Sequence, residues 1–266
     1  MKKVISFSLW GKKIGYIIGG ILNADIAEKE WEGWICRYYI SPSVPKSAVK
    51  ELSSRKNTEI FMMQEDEGWN GMFWRFQPCS DSTVDVMISR DTDSRLSIRD
   101  KAAVDEWLTT DKKIHILRDC CQHGWPICGG AWGARKGILE DMVDLINEYP
   151  KHLDNNHGID QKFLAQIVYP RVVNEAYVHD DWFLGMYKHE NKHKFPISRL
   201  RGEGWWNVKF PEWHSGTEHD KENYPGPCVL FCPACKTYHD NEYIGKQRYV
   251  NNQSKEKYAY IIKECE

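Results

Sequence analysis

Two aspartates one residue apart, Asp91 and Asp93, stand in the stretch VDVMISRDTDSRLSIRD, residues 84–100. The apolar run VDVMIS reads as a strand, so the pair falls on the loop at its carboxyl end. In open α/β sheets, ligands bind at that edge. Carboxylates at i and i+2 of such a loop can offer oxygens to a hard divalent cation. Mg²⁺ and Mn²⁺ prefer oxygen ligands and borrow some from substrate phosphates. The chemistry this pattern suits is therefore a metal gripping a diphosphate. No other Asp-x-Asp occurs in the chain. The alternative is a solvated loop, salt-bridged to Arg90, Arg95 and Arg99.

A second constellation lies near the carboxyl end. Cys228, Cys232, Cys235 and His239 fall within twelve residues around a CPAC turn. Tetrahedral zinc takes such a Cys₃His set, and four protein ligands would make it structural. His214 or His219 could replace one ligand. The alternative is reduced cysteines packing a small subcore. Asp160 follows a glycine-containing loop (155–158) and opens the helical pattern QKFLAQI, so it can cap that helix or face a substrate.

These residues need elements to hold them. VISFSLW (4–10), WICRYYIS (34–41), EIFMMQ (59–64), VDVMIS (84–89) and IHILRD (114–119) read as strands. Between them, residues 13–31 read as a helix despite their glycines, and SAVKELSSR (47–55) as a short helix behind Pro45. GWNGMFWRFQP (68–78) reads as a helix or tight turn carrying aromatics and Arg75. Ser97, with Asp100 three residues on, caps a helix through AAVDEWL, whose residues Ile98, Ala102 and Leu108 share a face. Residues 138–149 and 161–167 continue the helical pattern. Alternating strand and helix predicts an α/β sandwich with a mostly parallel, Rossmann-like sheet flanked by helices. From about Phe195 the periodicity fades. Residues 1–194 are then a catalytic domain and 195–266 an irregular Cys/His-containing extension packed on it, closing in a strand or helix at KYAYIIKE.

Composition narrows the classes. With 266 residues, 41% hydrophobic and 28% charged, the chain can bury a substantial core. A formal net charge of -2 gives no basic field for nucleic acid. No segment reaches the roughly eighteen apolar residues of a membrane span. The amino-terminal apolar run is short, ends in Lys12 and Lys13, and reads as a strand rather than a signal peptide. Nine cysteines, an odd number, fit reduced thiols. A cytoplasmic protein is expected, in the host cytoplasm if its source is viral. Twelve tryptophans are many for this length. Some will be core, and others can offer flat faces to sugar rings or bases.

FSLWG (7–11), GMFWRF (71–76), VDVMISRDTDSRLSIRD, AVDEWL (103–108), GGAWGARKG (129–137) and DQKFL (160–164) together resemble, in the same order, a family of small GT-A glycosyltransferases of bacteria and large algal viruses. Among them are chlorovirus enzymes that decorate capsid glycans. The resemblance spans residues 4 to about 183. It implies a nucleotide-diphosphate sugar donor, usually UDP-linked, bound through Mn²⁺ or Mg²⁺, and a glycan or glycoprotein acceptor. Asp91 and Asp93 match the metal motif, Asp93 as the direct ligand and Asp91 reaching the ribose or a metal-bound water. Phe7, Ser8 and Gly11 match the loop that holds the base. Trp132 in the GGAWG stretch matches a wall of the donor-sugar site, and Asp160 the acidic position beside the transferred sugar. His179, in YVHDD (177–181), sits where some relatives place a further metal ligand.

The chemistry fits these residues. Departure of a nucleoside diphosphate builds charge that a divalent metal neutralises, with Arg75, Arg95 or Arg99 assisting. An acceptor hydroxyl needs a carboxylate base, for which Asp160 is the candidate. A retaining enzyme would use that carboxylate to orient the donor. Two other classes compete: a nucleotidyltransferase, which would call for a phosphate-cradling Gly/Lys loop not seen beside the first strand, and a non-catalytic zinc-stabilised binding module on the same scaffold.

Overall fold

The computed structural model describes residues 1–64, 68–119, 124–150, 157–180, 186–197 and 252–266. Eight strands form one sheet: β1 (Lys3–Leu9), β2 (Trp34–Ile40), β3 (Thr58–Met62), β4 (Val86–Ser89), β5 (Ile114–Arg118), β6 (Trp132–Arg135), β7 (Ala176–Asp180) and β8 (Lys192–His193). Their order is β3-β2-β1-β4-β6-β5-β7-β8. Only β6 runs antiparallel to its neighbours; the other pairings are parallel. The class is the expected one, α/β with a mostly parallel sheet.

Both faces of the sheet are covered, and the strands show why. In β1, six of the seven residues of KVISFSL are buried. Near-continuous apolar strands are what burial on two faces requires. The period of two still sorts side chains. Ile5, Phe7, Leu9, Val86 and Ile88 enter one core. Val4 and Met87 enter the other.

The first core is roofed by α1 (Ile14–Glu30), α2 (Lys46–Ser53) and α3 (Ile98–Leu108). Two carboxyl-terminal helices, α7 (Asn252–Lys257) and α8 (Ala259–Cys265), close against it through Tyr258 and Ile261. The tail therefore ends in helix, packed on the main body. The second core is covered by a 3₁₀ helix (Trp69–Ser80), α4 (Met142–Glu148), α5 (Ile159–Phe163) and α6 (Tyr169–Val172), the last two joined by a π turn (Leu164–Val168).

In α3 one local expectation holds and one changes. Ser97 Oγ does accept from Asp100 N, at 3.1 Å, so the cap of α3 forms as predicted. The inward face is different: Arg99, Asp100, Ala103, Val104 and Trp107 are buried, while Ile98 is exposed. Charged residues can turn inward here because each finds a partner. Arg90 clasps Asp100 through two bonds of 2.8 and 2.7 Å. Arg99 clasps Asp119 at 3.2 and 2.7 Å. Much of the charge in residues 90–100 is thus structural. Desolvated carboxylate–guanidinium pairs are tolerated when both partners are satisfied.

Candidate active site

The carboxyl ends of the parallel strands surround a cavity of about 270 Å³. Ser8 and Trp10 line it from the end of β1, and Asp91, Thr92 and Asp93 from the end of β4. Gly130 and Ala131 enter from the start of β6, whose reversed direction brings its amino end to the same edge. His157, Gly158, Asp160 and Gln161 come from the mouth of α5. Trp69, Met72 and Arg75 line the remaining side. They recur every three residues, and a 3₁₀ helix has three residues per turn, so they eclipse along one ridge. Phe73 and Phe76, the next ridge, lie in the core.

Arg75 is the hub. It is buried; its Nη1 contacts Asp91 Oδ1 and its Nη2 donates to Asp160 Oδ2 at 2.8 Å. Burial works against the charged guanidinium, yet the two carboxylates outweigh it and hold its pKa above the ordinary value. Burial pushes the Asp160 carboxyl above its usual range; Arg75 opposes that rise and Asp91 adds to it. Asp160 does not cap its helix. Gly158, in left-handed conformation, occupies the cap position. Asp160 Oδ1 is buried without a hydrogen-bond partner among the described residues.

Backbone approach fixes this geometry. A Cβ on Gly130 would overlap the Asp91 carboxylate, and one on Gly129 would stand 2.5 Å from Arg75 Nη2. Across the loop, Asn23 of α1 is fully buried and donates from Nδ2 to Ser94 O at 2.7 Å and to Thr92 O at 3.4 Å. Its Oδ1 accepts from Leu96 N at 3.2 Å. One helical side chain thereby clamps the loop that carries both aspartates.

The structure brings Ser8, Arg75, Asp91, Asp93 and Asp160 together and leaves other expected residues apart. Phe7 is fully buried and stacks on Tyr38 with centroids 4.9 Å apart, so it belongs to the core, not the base site. Gly11 lies beyond the cavity wall, its N–H donating to Ser43 Oγ at 2.8 Å. Trp132 does not wall the cavity: its ring is fully buried, 5.6 Å from Phe76, and its neighbours Gly130 and Ala131 form the wall instead. Arg95 and Arg99 are buried away from the cavity; Arg95 Nη1 donates to Thr92 O at 3.2 Å behind the loop, and Arg99 serves Asp119.

His179 is likewise fully buried outside the cavity, its Nδ1 2.8 Å from Nε2 of His115. Burial first, then the neighbouring His179 and Arg90, hold His115 well below an ordinary histidine. His179 is drawn down to about 4, chiefly by burial, with Glu106 opposing and His193 and Arg99 adding. The cluster Cys228, Cys232, Cys235 and His239 lies outside the described residues. Missed in the sequence were Trp125, His157, Gln161 and the clamp Asn23. The triplet spacing of Trp69, Met72 and Arg75 was the available signal for that ridge.

The donor set suits a hard cation. Asp91 and Asp93 share one wall, and a carboxylate offers the oxygen donors such a cation prefers. Among the described residues no three His, Cys, Asp or Glu side chains form a ready-made cage. A cation held here would take its remaining ligands from water and substrate oxygens, as Mg²⁺ sites commonly do.

No protein-family model matches the sequence, and no curated protein matches it. Among solved structures, the chain is similar to a glycosyltransferase involved in glycosylation of the major capsid of PBCV-1. The identity is 18% and the TM-score 0.46, over 68% of this chain and 83% of that one. It is similar to the bifunctional enzyme WbbM at 12% identity and a TM-score of 0.43, over 66% of this chain but only 38% of that one. It is similar to mannosyl-3-phosphoglycerate synthase from Rubrobacter xylanophilus at 11% identity and a TM-score of 0.38, over 93% and 87%. At these scores the likenesses leave the function to be argued from the site. No described helix is long and apolar enough to cross a membrane.

Proposed function

We propose that the chain is a glycosyltransferase that moves a sugar from a nucleotide-diphosphate donor to a glycan acceptor with the help of Mn²⁺ or Mg²⁺. The observation that carries this reading is the cavity at the carboxyl edge of the sheet, where Asp91 and Asp160 meet at Arg75 and Asp93 lines the same space. UDP-sugars are the donors to test first, and a capsid glycan is the acceptor the sequence resemblance suggests.

Asp91 and Asp93 would hold the cation, which when bound supplies Lewis-acid neutralisation of the departing diphosphate. Arg75 keeps Asp91 and Asp160 within one charge network and sets where the negative charges stand. Asp160 would receive the proton of the attacking hydroxyl. Its pKa, raised by burial against the opposition of Arg75, strengthens it as a base.

The test is incubation of the full chain with a panel of nucleotide sugars, with and without Mn²⁺. Slow, cation-dependent release of the nucleoside diphosphate is expected. Exchange of pyrophosphate instead would mark a nucleotidyltransferase, and inertness toward every donor would leave only a binding role.

A further inference from the structure

A second cavity, of about 420 Å³, lies across the 3₁₀ helix from the first. Its volume falls within the roughly 300–1,000 Å³ of small-molecule sites. The helix faces both cavities. Trp69, Met72 and Arg75 form the ridge turned to the first; Asn70 with Phe73, and Trp74 with Gln77, lie on the two other ridges and line the second. Gln64, just past β3, and Asn147, near the end of α4, join them.

Among the described residues that line this cavity none is charged, and four are carboxamides: Gln64, Asn70, Gln77 and Asn147. Each can donate two N–H bonds and accept at its oxygen. Gln64 and Asn147 are exposed, Asn70 and Gln77 half-buried. Asn70 Oδ1 stands out: it is shut off from solvent and has no hydrogen-bond partner among the described residues. A buried acceptor left this way destabilises the free chain and calls for an O–H or N–H donor. The floor is apolar and packed in place. Trp74 stands edge-on to Trp10, with centroids 6.3 Å apart, and Phe73 edge-on to Phe163 at 5.4 Å.

An uncharged lining discriminates. An anion would meet no cationic side chain there and a cation no carboxylate, so the desolvation of either would go uncompensated. A nucleobase keeps its polar groups along the edge of a flat ring. A sugar carries hydroxyls around its whole rim, each both donor and acceptor, and leaves C–H faces for an aromatic floor. Carboxamides arriving from three separate elements meet such a rim from several directions. We infer that this second cavity binds a neutral sugar residue, one of whose hydroxyls donates to Asn70 Oδ1. The cavity is separate from that of Asp91, Asp93 and Asp160, and its sugar binding does not depend on the glycosyltransferase reading. Combined with that reading, it holds a glycan away from the point of reaction.

The experiment is ligand-detected NMR on the full chain with neutral methyl hexosides and pentosides, glucose 6-phosphate, uridine and N-acetylglycine amide. The neutral glycosides should bind. Asn70→Leu with Gln77→Leu, close in size but unable to hydrogen-bond, should weaken that binding at least about tenfold. Because Asn70 Oδ1 is unpaired in the free chain, this variant should melt no lower than the parent; Gln77→Leu alone repeats the binding test should the pair fail to fold. Asp160→Asn, in the first cavity, should leave glycoside binding unchanged. Absence of glycoside binding, binding indifferent to the leucines, or binding lost in Asp160→Asn would each overturn the inference. So would glucose 6-phosphate, uridine or the amide binding more tightly than the glycosides and losing that binding with the leucines, which would give the cavity to that chemistry. Donor hydrolysis by the unaltered protein is measured separately. Hydrolysis without glycoside binding removes only the sugar site; glycoside binding without hydrolysis sustains the sugar site and removes only the glycosyltransferase reading.

Discussion

Gly19→Ala places a methyl group where α1 touches the loop of Asp91 and Asp93. The new Cβ would overlap the Thr92 carbonyl oxygen and stand 2.7 Å from Arg95 Nη1 and 3.2 Å from the Thr92 carbonyl carbon. The main obstacle is backbone, so the loop rather than a side chain must move, by a distance on the order of 1 Å. Overpacking costs about 1–3 kcal/mol, and alanine recovers about 1 kcal/mol over glycine in a helix. A net loss of at most about 2 kcal/mol should lower the melting temperature by no more than about 8 °C. A shift of about 1 Å in groups that must align with substrate can cost about a hundredfold in rate. The control is Gly20→Ala, whose Cβ would meet only ordinary contacts, the nearest being Tyr38 Cε1 at 3.5 Å. Cation-dependent release of nucleoside diphosphate and thermal melting are measured on both. Gly20→Ala should keep its turnover and melt no lower than the parent. Gly19→Ala turning over within threefold of the parent would refute the claim that this contact sets the loop.

Three further outcomes follow from the same geometry. Asp160→Asn should keep its melting temperature within a few degrees and lose about a hundredfold or more in transfer to acceptor; transfer within a few-fold of the parent would move the base elsewhere. His179 has a folded pKa of about 4 against an ordinary 6.5. Its contribution is therefore present above about pH 6.5 and lost as pH falls toward 4, worth about 3 kcal/mol across that window. Denaturant titrations at pH 7 and pH 4.5 should record most of that loss, and His179→Gln should flatten it; an unchanged pH dependence in that variant would contradict the assignment. Finally, Cys228, Cys232, Cys235 and His239 are proposed to hold structural zinc. Metal analysis should find about one zinc per chain, lost in Cys232→Ser together with Cys235→Ser; metal-free protein with titratable thiols and an unchanged melt would exclude it.

Much of the frame was legible because it rests on local chemistry. The apolar runs of β1, β2, β4 and β5 announce two-sided burial, and the Ser97–Asp100 cap forms as written. What stayed hidden depends on distant partners. β6 is only Trp132–Arg135, follows Gly129 and Gly130, and has no period to read. β7 carries His179 and Asp180 into full burial, where His115 and Arg118 are among the partners that meet them from the neighbouring strand. The paired glycines of α1 looked like a weakness in a helix, yet Gly19 is where the loop carbonyl comes closest. The aspartates of the site were legible by their spacing. The role of Arg75 as their shared partner was not, because Asp91 and Asp160 lie 16 and 85 residues away along the chain.

Asp91 and Asp93 are proposed to bind a nucleoside diphosphate through a divalent cation, which calorimetry measures without needing an acceptor. UDP is titrated into the full chain with Mn²⁺, with EDTA, and into Asp93→Ala with Mn²⁺. Binding is expected in the first titration and at least tenfold weaker binding in the other two, with the variant melting close to the parent. UDP binding of equal strength in all three would contradict it.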